Sequence, residues 1–268
     1  MLPAPQIAFL SLSRARSPVL HRAVNEWHQL DHLPENRALR GVAWGERFVL
    51  PPAAAHQAVR RGEFADFHYA TLYWFDEPHG PAIGTWADFA EQSFREGRRP
   101  DVALVDRAYM DFFRLVGAAA PSGVRMNERG LVHRPGTGLV LIATSLPAGR
   151  SRTDLHPRFA WELDELVPAL AAVPGVGGVW CLQSDASLAP ATWASREAAQ
   201  GTAEDRTIRL IVARTEVDPP AVVLDRIRSG EHAPRLRPPL SLPGQVAFHG
   251  FLETIVPWQW DWFDEATS

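Results

Sequence analysis

The sequence contains no lysine, because all 27 of its lysine-plus-arginine residues are arginines. A lysine Schiff base, a lysine general base and the lysine of a phosphate-binding P-loop are therefore excluded. The chain has a single cysteine, Cys181, so it cannot form an intrachain disulfide. A reducing compartment, the cytoplasm, is expected for such a chain.

Long apolar runs and strong charge are also lacking. No uninterrupted apolar run approaches the ~18 residues of a membrane span, and the first residues do not have the charged and apolar regions of a signal peptide. The net charge of −4 and the pI of about 6.2 do not favour nucleic acid or an anionic membrane as a partner. With 46% apolar residues among 268, the chain can form two small domains with buried cores.

The first half of the chain predicts the element order β-α-β-β-α-β. Strands are predicted at residues 6–13, 41–50, 67–75 and 108–116, and helices at 17–39 and from the capping box Thr85-x-x-Asp88 to residue 96. Residues 117–136, rich in glycine, alanine and proline, are interpreted as a linker. The order then repeats, with strands at 138–146, 176–183, 207–217 and 246–256 and helices at 156–173 and 219–229. This is the split-βαβ pattern of ferredoxin-like folds.

A shift of 134 residues aligns the two halves. It brings Trp27 onto Trp161, Pro34 onto Pro168, Gly41-Val42 onto Gly175-Val176, and Ser11-Leu12 onto Ser145-Leu146. We therefore predict an α+β protein of two ferredoxin-like units fused in tandem, an N-terminal unit at 1–116 and a C-terminal unit at 137–268. Their sheets are expected to pack face to face as a pseudo-dimeric α/β barrel. If those sheet faces were exposed to water, the free energy cost would be roughly 25 cal/mol per Å² of apolar area.

The segment WHQLDHLPE at residues 27–35, followed by Gly41 and Arg47-Phe48, resembles the dimeric α/β-barrel superfamily. It is most similar to the EthD-like branch, in which a helix with the pattern W…(E/D)HxP(E) leads into a strand that begins with glycine. Both halves of the chain resemble the superfamily in their predicted architecture, whereas the sequence motif covers only residues 24–48. It implies the fold predicted above. The superfamily includes cofactor-free monooxygenases, polyketide cyclases, lactone isomerases and haem-degrading enzymes, so fold membership alone does not define a reaction.

His32 is the first candidate catalytic residue. Its counterpart in the second half is Leu166, which indicates an inward-facing position, and an imidazole suits proton transfer near neutral pH. The alternative is a core histidine that bonds a backbone carbonyl. His28, His32 and Glu35 have the spacing of metal ligands on one helix face. Position 28, however, corresponds to Glu162, which is interpreted as solvent-exposed, so neither a metal nor a cofactor is expected.

The three tyrosines, Tyr69, Tyr73 and Tyr109, all lie on predicted strands of the N-terminal unit. Period-two alternation places Tyr69, Thr71 and Tyr73 on one strand face, and Tyr109 with Asp111 on another. Tyr69 and Tyr73 are predicted to act with His32. Substrate contacts are predicted at Trp27, Trp44, Thr71, Tyr109 and Asp111. Aromatic packing between sheet and helix is the alternative for the tyrosines.

The favoured hypothesis is a cofactor-free enzyme of cyclase, isomerase or monooxygenase type. It would act by proton transfer on a small hydrophobic molecule, aromatic or polyketide-like, in the N-terminal unit. The C-terminal unit would be structural, with Leu166, Leu170 and Phe159 filling the equivalent pocket and a tryptophan-rich tail docked on the other unit. The alternatives are a non-catalytic small-molecule-binding or assembly protein, and haem or metal chemistry. Formation of a homodimer is left open.

Overall fold

The computed structural model describes residues 5–149, 152–190, 207–230, 233, 238–239 and 241–264. The strands of the N-terminal unit are β1 (Ile7–Ala15), β2 (Val42–Val49), β3 (Val59–Arg60), β4 (Tyr69–Phe75) and β5 (Val105–Ala119). Its helix α1 comprises His21–Trp27, the π-helical turn His28–His32 and Leu33–Arg37, and it is followed by α2 (Pro52–Gln57), α3 (His79–Arg95) and α4 (Asp101–Leu104).

The C-terminal unit repeats this order. Its strands are β6 (Gly138–Leu146), β7 (Val176–Ser184), β8 (Thr207–Thr215) and β9 (Gln245–Thr254). Helix α5 comprises Arg152–Trp161, the π-helical turn Glu162–Leu166 and Val167–Ala171, and α6 spans Pro220–Ser229. Short 3₁₀ turns lie at Pro18–Leu20, Gly62–Phe64, Glu128–His133 and Ala186–Leu188. In the part of the chain described, no helix is both long and apolar enough to cross a membrane.

The strands close into one barrel in the order β2-β4-β1-β5-β7-β8-β6-β9. Strand β9 returns to β2, where Phe48 pairs with Thr254, and the short β3 adds to β9 outside the ring. Each unit has the ferredoxin-like strand order, and the two junctions, β5 with β7 and β9 with β2, join equivalent strands. The prediction of tandem ferredoxin-like units in a pseudo-dimeric α/β barrel is therefore confirmed.

Alternate residues of each strand face the barrel interior, where both units share one core. Leu10, Leu12 and Trp74 meet Trp180 and Leu210 there, and the rings of Trp74 and Trp180 have centroids 5.8 Å apart. A buried ion pair joins the units as well, since Arg214 Nη2 lies 2.6 Å from Glu46 Oε2. Helices α1 and α3 cover the outer face of the N-terminal sheet.

Local geometry identifies the equivalent residues of the two units. The π-helical turns begin at His28 and Glu162, and Gly41 and Gly175 both adopt positive φ angles, +90° and +92°. The helix and second strand therefore follow the 134-residue shift. The first strand does not: Ile7 pairs with Phe75 where Gly138 pairs with Thr215, a shift of 131. The match of Ser11-Leu12 with Ser145-Leu146 was wrong, because the connection after β6 is three residues longer than the connection after β1.

Two boundaries differ from the prediction. Helix α3 begins at His79, not at Thr85, because Pro78 precedes it as N-cap and Pro81 lies in the first turn, where backbone N–H groups have no intrahelical partner. The predicted linker is also partly integral to the barrel. Strand β5 continues to Ala119 along β7, and Leu131 and Val132 are buried in the main core against Gly178.

Candidate functional site

A cavity of about 380 Å³ lies in the N-terminal unit, between the outer face of β1, β4 and β5 and the helices α1 and α3. This volume is within the range of small-molecule sites. The cavity is lined by the aromatic residues Phe9, Trp27, Tyr73, Trp86 and Phe94 and by the polar residues Ser11, Ser13, His28, His32 and Thr71. Charged side chains also line it: Arg16, Glu91, Arg99, Asp106 and Arg107.

Small side chains on facing elements create this space. Ser11 and Ser13 lie on the helix-facing side of β1, and Ala87 and Ala90 lie opposite them on α3. By the 131-residue shift of the first strand, Ser11 corresponds to Ile142 and Ser13 to Thr144, so the C-terminal unit has larger side chains at these positions.

His32 ends the π-helical turn of α1 and lines the cavity, although only 7% of its surface is exposed. Its ring stacks on Trp27, with centroids 4.9 Å apart and planes 16° from parallel. Asn36 Nδ2 donates to the His32 carbonyl oxygen at 2.6 Å and lies 3.1 Å from His32 Nδ1. The same amide nitrogen lies 3.4 Å from His32 Nε2. Since an amide nitrogen only donates and Nδ1 is the nearer ring nitrogen, Nδ1 is assigned as the acceptor and the proton of the neutral ring is assigned to Nε2.

Burial lowers the pKa of both His28 and His32 well below the usual value of histidine. The charges of Arg47, Arg99 and Arg107 act in the same direction on both rings. Both imidazoles are therefore neutral at pH 7. A neutral imidazole can donate one proton and accept another.

Arg47, which sequence reasoning did not select, lies on β2 behind the cavity wall. It is 1% exposed, its guanidinium lies over the Tyr69 ring at 5.3 Å, and Nη1 makes only a long contact of 3.5 Å to Gln29 Oε1. Within the described residues, its Nε and Nη2 have no hydrogen-bond partner. Burial lowers the pKa of Arg47 to about 10. The available sequence signal was its place in the motif at residues 24–48, on a predicted strand.

Tyr73 and Thr71 are buried on β4 and line the cavity as predicted by strand alternation. The Tyr73 ring packs against Gly45, where a Cβ atom would come within 2.5 Å of it. Burial raises the pKa of Tyr73, and its hydroxyl has no hydrogen-bond partner in the described part of the chain. Trp27, predicted as a substrate contact, also lines the cavity.

The structure places Tyr69 away from the cavity, although it shares a strand face with Tyr73. Its hydroxyl lies 2.7 Å from His21 Nδ1 and accepts from Asn25 Nδ2 at 2.8 Å, and Phe263 of the tail packs on its ring. Burial raises the pKa of Tyr69 to about 12. The phenol is therefore part of a closed hydrogen-bonded cluster.

Three further predicted residues lie on the other side of the sheet. Tyr109 donates to Asp111 Oδ2 at 3.2 Å and packs on Phe64, because β5 turns Met110, not its neighbours, toward the cavity. Trp44 lies under the guanidinium of Arg37, 4.3 Å from it. None of these three lines the cavity.

The possible metal ligands do not converge. Glu35 accepts from Arg98 Nη1 at 2.6 Å, away from His28 and His32. Across the described ranges, no group of three histidine, cysteine or acidic side chains is arranged to hold a metal ion.

The equivalent region of the C-terminal unit contains a buried ion triad. Glu162, interpreted from sequence as solvent-exposed, is fully buried, which corrects that interpretation. Its carboxylate accepts from Arg158 Nε at 2.8 Å and from Arg209 Nε at 2.7 Å. Leu166 and Leu170 are buried beside it, and Phe159 packs under Arg209. The space is therefore filled by charged side chains as well as by the predicted apolar ones.

No protein-family model matches the chain, and no curated protein is similar in sequence. Among solved structures, a provisionally named monooxygenase from Fusobacterium nucleatum subsp. nucleatum is 8% identical, with 95% of this chain and 94% of that chain covered and a TM-score of 0.52. An anthrone oxidase-like protein is 8% identical over 94% and 92% of the two chains, with a TM-score of 0.49. At this identity the first likeness shows the fold alone, and the fold is the α/β barrel described above.

Proposed function

We propose that the chain is a cofactor-free enzyme that transfers a proton on a small hydrophobic molecule, aromatic or polyketide-like, in the N-terminal cavity. The observation that carries this proposal is the position of His32. A buried, neutral imidazole lines a cavity of about 380 Å³ whose other walls are largely aromatic. Such a cavity would bind an aromatic molecule beside a group able to exchange a proton.

The cavity also supplies electrostatic stabilisation. His32 carries its proton on Nε2 and would donate it, or a hydrogen bond, to a substrate oxygen as general acid. The opposite tautomer would act as general base. Negative charge that develops on the substrate would be stabilised by Arg99 and Arg107, which line the same cavity.

Tyr73, Thr71 and Trp27 would position the substrate, since all three line the cavity with His32. Tyr69 has no direct part in the proposal, because its hydroxyl is bonded to His21 and Asn25. Assignment to the EthD-like branch belongs to the proposal as well. It is supported by the motif helix α1, which brings His32 to the cavity.

Haem chemistry is the second candidate function, and one observation favours it. His28 Nε2 is buried beside the cavity with no partner among the described residues, so His28 would be the residue that holds a haem there. A haem would supply redox chemistry that the side chains lack. A Soret band in the visible spectrum of the purified protein would select this function and contradict the cofactor-free proposal.

Proton exchange tests the cofactor-free proposal without knowledge of the true substrate. The protein would be incubated in D₂O with a panel of aromatic ketones of one to three rings and differing charge, each with an acidic C–H. Proton NMR would follow the exchange of that C–H for deuterium. We expect the protein to accelerate exchange of at least one ketone above the buffer rate. Failure with the whole panel would contradict the proposal.

Ala90→Trp provides the matched control for this assay. Ala90 lines the cavity and is nearly buried, so an indole at this position would occupy the cavity without changing its charge. We expect exchange to fall to the buffer rate in this variant while the circular dichroism spectrum is retained. Exchange at the wild-type rate would place the reaction elsewhere on the molecule.

A further inference from the structure

Three side chains around the cavity have buried polar atoms without hydrogen-bond partners in the described part of the chain. They are Arg47 at Nε and Nη2, His28 at Nε2 and Tyr73 at its hydroxyl. His28 and Tyr73 line the cavity, and Arg47 lies directly behind that lining, paired on β2 with the lining residue Thr71 of β4. Each of the three can donate a hydrogen bond to an anion.

Arg47 is a buried cation without a counter-ion. Such a charge is strongly unfavourable unless an anion compensates it. The acidic residues that line the cavity are already engaged: Asp106 accepts from Arg14 and Arg16 at 3.1 and 2.9 Å, and Glu91 pairs with Arg95 at 3.4 Å. No described carboxylate therefore neutralises Arg47.

The C-terminal unit shows how the same region is compensated within the chain. There, the buried arginine below the π-helical turn is Arg209, and its counter-ion is Glu162, the first residue of that turn, at 2.7 Å. The first residue of the equivalent turn in the N-terminal unit is His28. The N-terminal unit also has a buried arginine in this region, although on a different strand: Arg47 lies on β2 at the position of Cys181, and Tyr69 occupies the position of Arg209. A neutral imidazole stands where the carboxylate would be.

We propose that the ligand of the N-terminal cavity carries a carboxylate, which binds Arg47, His28 and Tyr73 and takes the role that Glu162 has in the C-terminal unit. The neutral His28 ring donates from Nε2, the Tyr73 hydroxyl donates as well, and Arg47 supplies the charge. This names the substrate class of the proposed function and rests on it for the identity of the site. Arg99 and Arg107, which also line the cavity, add positive potential that attracts an anion.

The test compares 1-naphthoate with 1-naphthamide, which has the same rings and no charge. We expect titration calorimetry to show at least about tenfold tighter binding of the carboxylate to the wild-type chain. Equal affinity for the two compounds, or binding of neither, would overturn the inference.

Two variants assign the preference to this cluster. Arg47→Met removes an uncompensated buried charge, so the preference is expected to disappear while the melting temperature is unchanged or higher. His28→Glu introduces the carboxylate of the C-terminal unit, so 1-naphthoate binding is expected to be lost and the melting temperature to rise. Retention of the wild-type preference by either variant would overturn the inference.

Arg14→Met is the control for net charge, because Arg14 pairs with Asp66 and Asp106 and does not line the cavity. This variant should keep the wild-type preference for the carboxylate. Loss of the preference would show that it arises from the overall charge of the protein, which would overturn the inference. Selective carboxylate binding without proton exchange would support the ligand class and contradict the proposed enzyme. Proton exchange on neutral ketones, without a binding preference for the carboxylate, would support the proposed enzyme and contradict the ligand class.

Discussion

At the scale of the residue, His32 and Leu166 occupy the same position at the end of two equivalent π-helical turns. Both are buried, at 7% and 2% exposure. The same backbone therefore accepts an imidazole in one unit and an isobutyl group in the other. This pair shows that the position does not need a polar side chain for folding.

The first prediction concerns the stability of His32→Leu. The Asn36 amide keeps its bond to the carbonyl oxygen of residue 32, so removal of the ring leaves little unpaired. We expect the free energy of unfolding in urea to change by less than about 1 kcal/mol, since the volumes are similar. A loss of about 3 kcal/mol would indicate that His32 is a structural hydrogen-bonding residue.

The second prediction concerns Glu162→Gln. This change leaves Arg158 and Arg209 buried without a counter-ion, so we expect a loss of about 3–5 kcal/mol in the free energy of unfolding. Glu35→Gln removes an exposed ion pair with Arg98 and is the control, with an expected change below about 1 kcal/mol. Wild-type stability of Glu162→Gln would contradict the role given to the triad.

At the scale of the element, the strands could be predicted from sequence because alternation with period two determines which side chains share a face. Thr71 and Tyr73 lie on the cavity face as predicted. On the helix, the spacing of four residues placed His28 and His32 on one face, and both line the cavity. Glu162 was wrongly interpreted as exposed because a lone glutamate is usually solvated, and a local pattern does not show that Arg158 and Arg209 compensate its charge.

Distance along a strand also limited the site prediction. Tyr69 and Tyr73 share a face, but four residues separate them by about 13 Å. The start of α1 and the tail cover Tyr69, whereas the cavity reaches Tyr73. The tail docks on the N-terminal unit as expected: Trp260 is nearly buried, and the Phe263 ring stacks on the His21 ring with centroids 3.9 Å apart. Trp258 is the exception, with 70% of its surface exposed. Which segment covers which stretch of strand depends on tertiary packing, which a local pattern does not contain.

The third prediction concerns the close approach of β2 and β4. A Cβ atom at position 45 would lie 2.5 Å from the Tyr73 ring, so Gly45→Ala must displace that ring. We expect a loss of about 1–3 kcal/mol in the free energy of unfolding, together with weaker ligand binding in the cavity.

Gly84→Ala is the matched control for this change. Gly84 lies in α3 with open space around its Cβ position, so alanine should stabilise the helix by about 0.5–1 kcal/mol. A loss of stability in both variants, or in neither, would contradict the packing described for Gly45.

At the scale of the whole molecule, fusion of two units allows them to differ, which two identical subunits cannot do. The N-terminal unit keeps a cavity with a neutral histidine and an uncompensated arginine. The C-terminal unit fills the equivalent region with its own ion pairs. The barrel core between them is shared, so the second unit stabilises the first without needing a site of its own.

The fourth prediction is the pH dependence of stability. Burial lowers the pKa of five histidines, to about 4 for His21 and His249 and to values below the usual one for His28, His32 and His68. Below about pH 6.5 the unfolded chain binds protons that the folded chain does not. The free energy of unfolding should therefore fall as the pH decreases from 6.5 toward 4, by up to about 1.4 kcal/mol per pH unit for each such histidine.

Urea denaturation at pH 7.5, 6.0 and 5.0 measures this slope. The His32→Leu variant should show a shallower decrease, because it has one fewer buried imidazole to protonate on unfolding. A free energy of unfolding that stays constant between pH 7.5 and 5.0 would contradict the neutral state assigned to these rings.

The most direct measurement of the central claim is the rate of proton exchange in His32→Leu, on the ketone that the wild-type chain exchanges fastest. If His32 is the proton-transfer group of the cavity, the rate should fall by about 10²–10⁴-fold. The affinity for 1-naphthoate should stay within a few-fold of the wild-type value, because Arg47, His28 and Tyr73 remain in place. An exchange rate equal to that of the wild-type chain, in a variant that binds the ligand and is folded, would contradict the account.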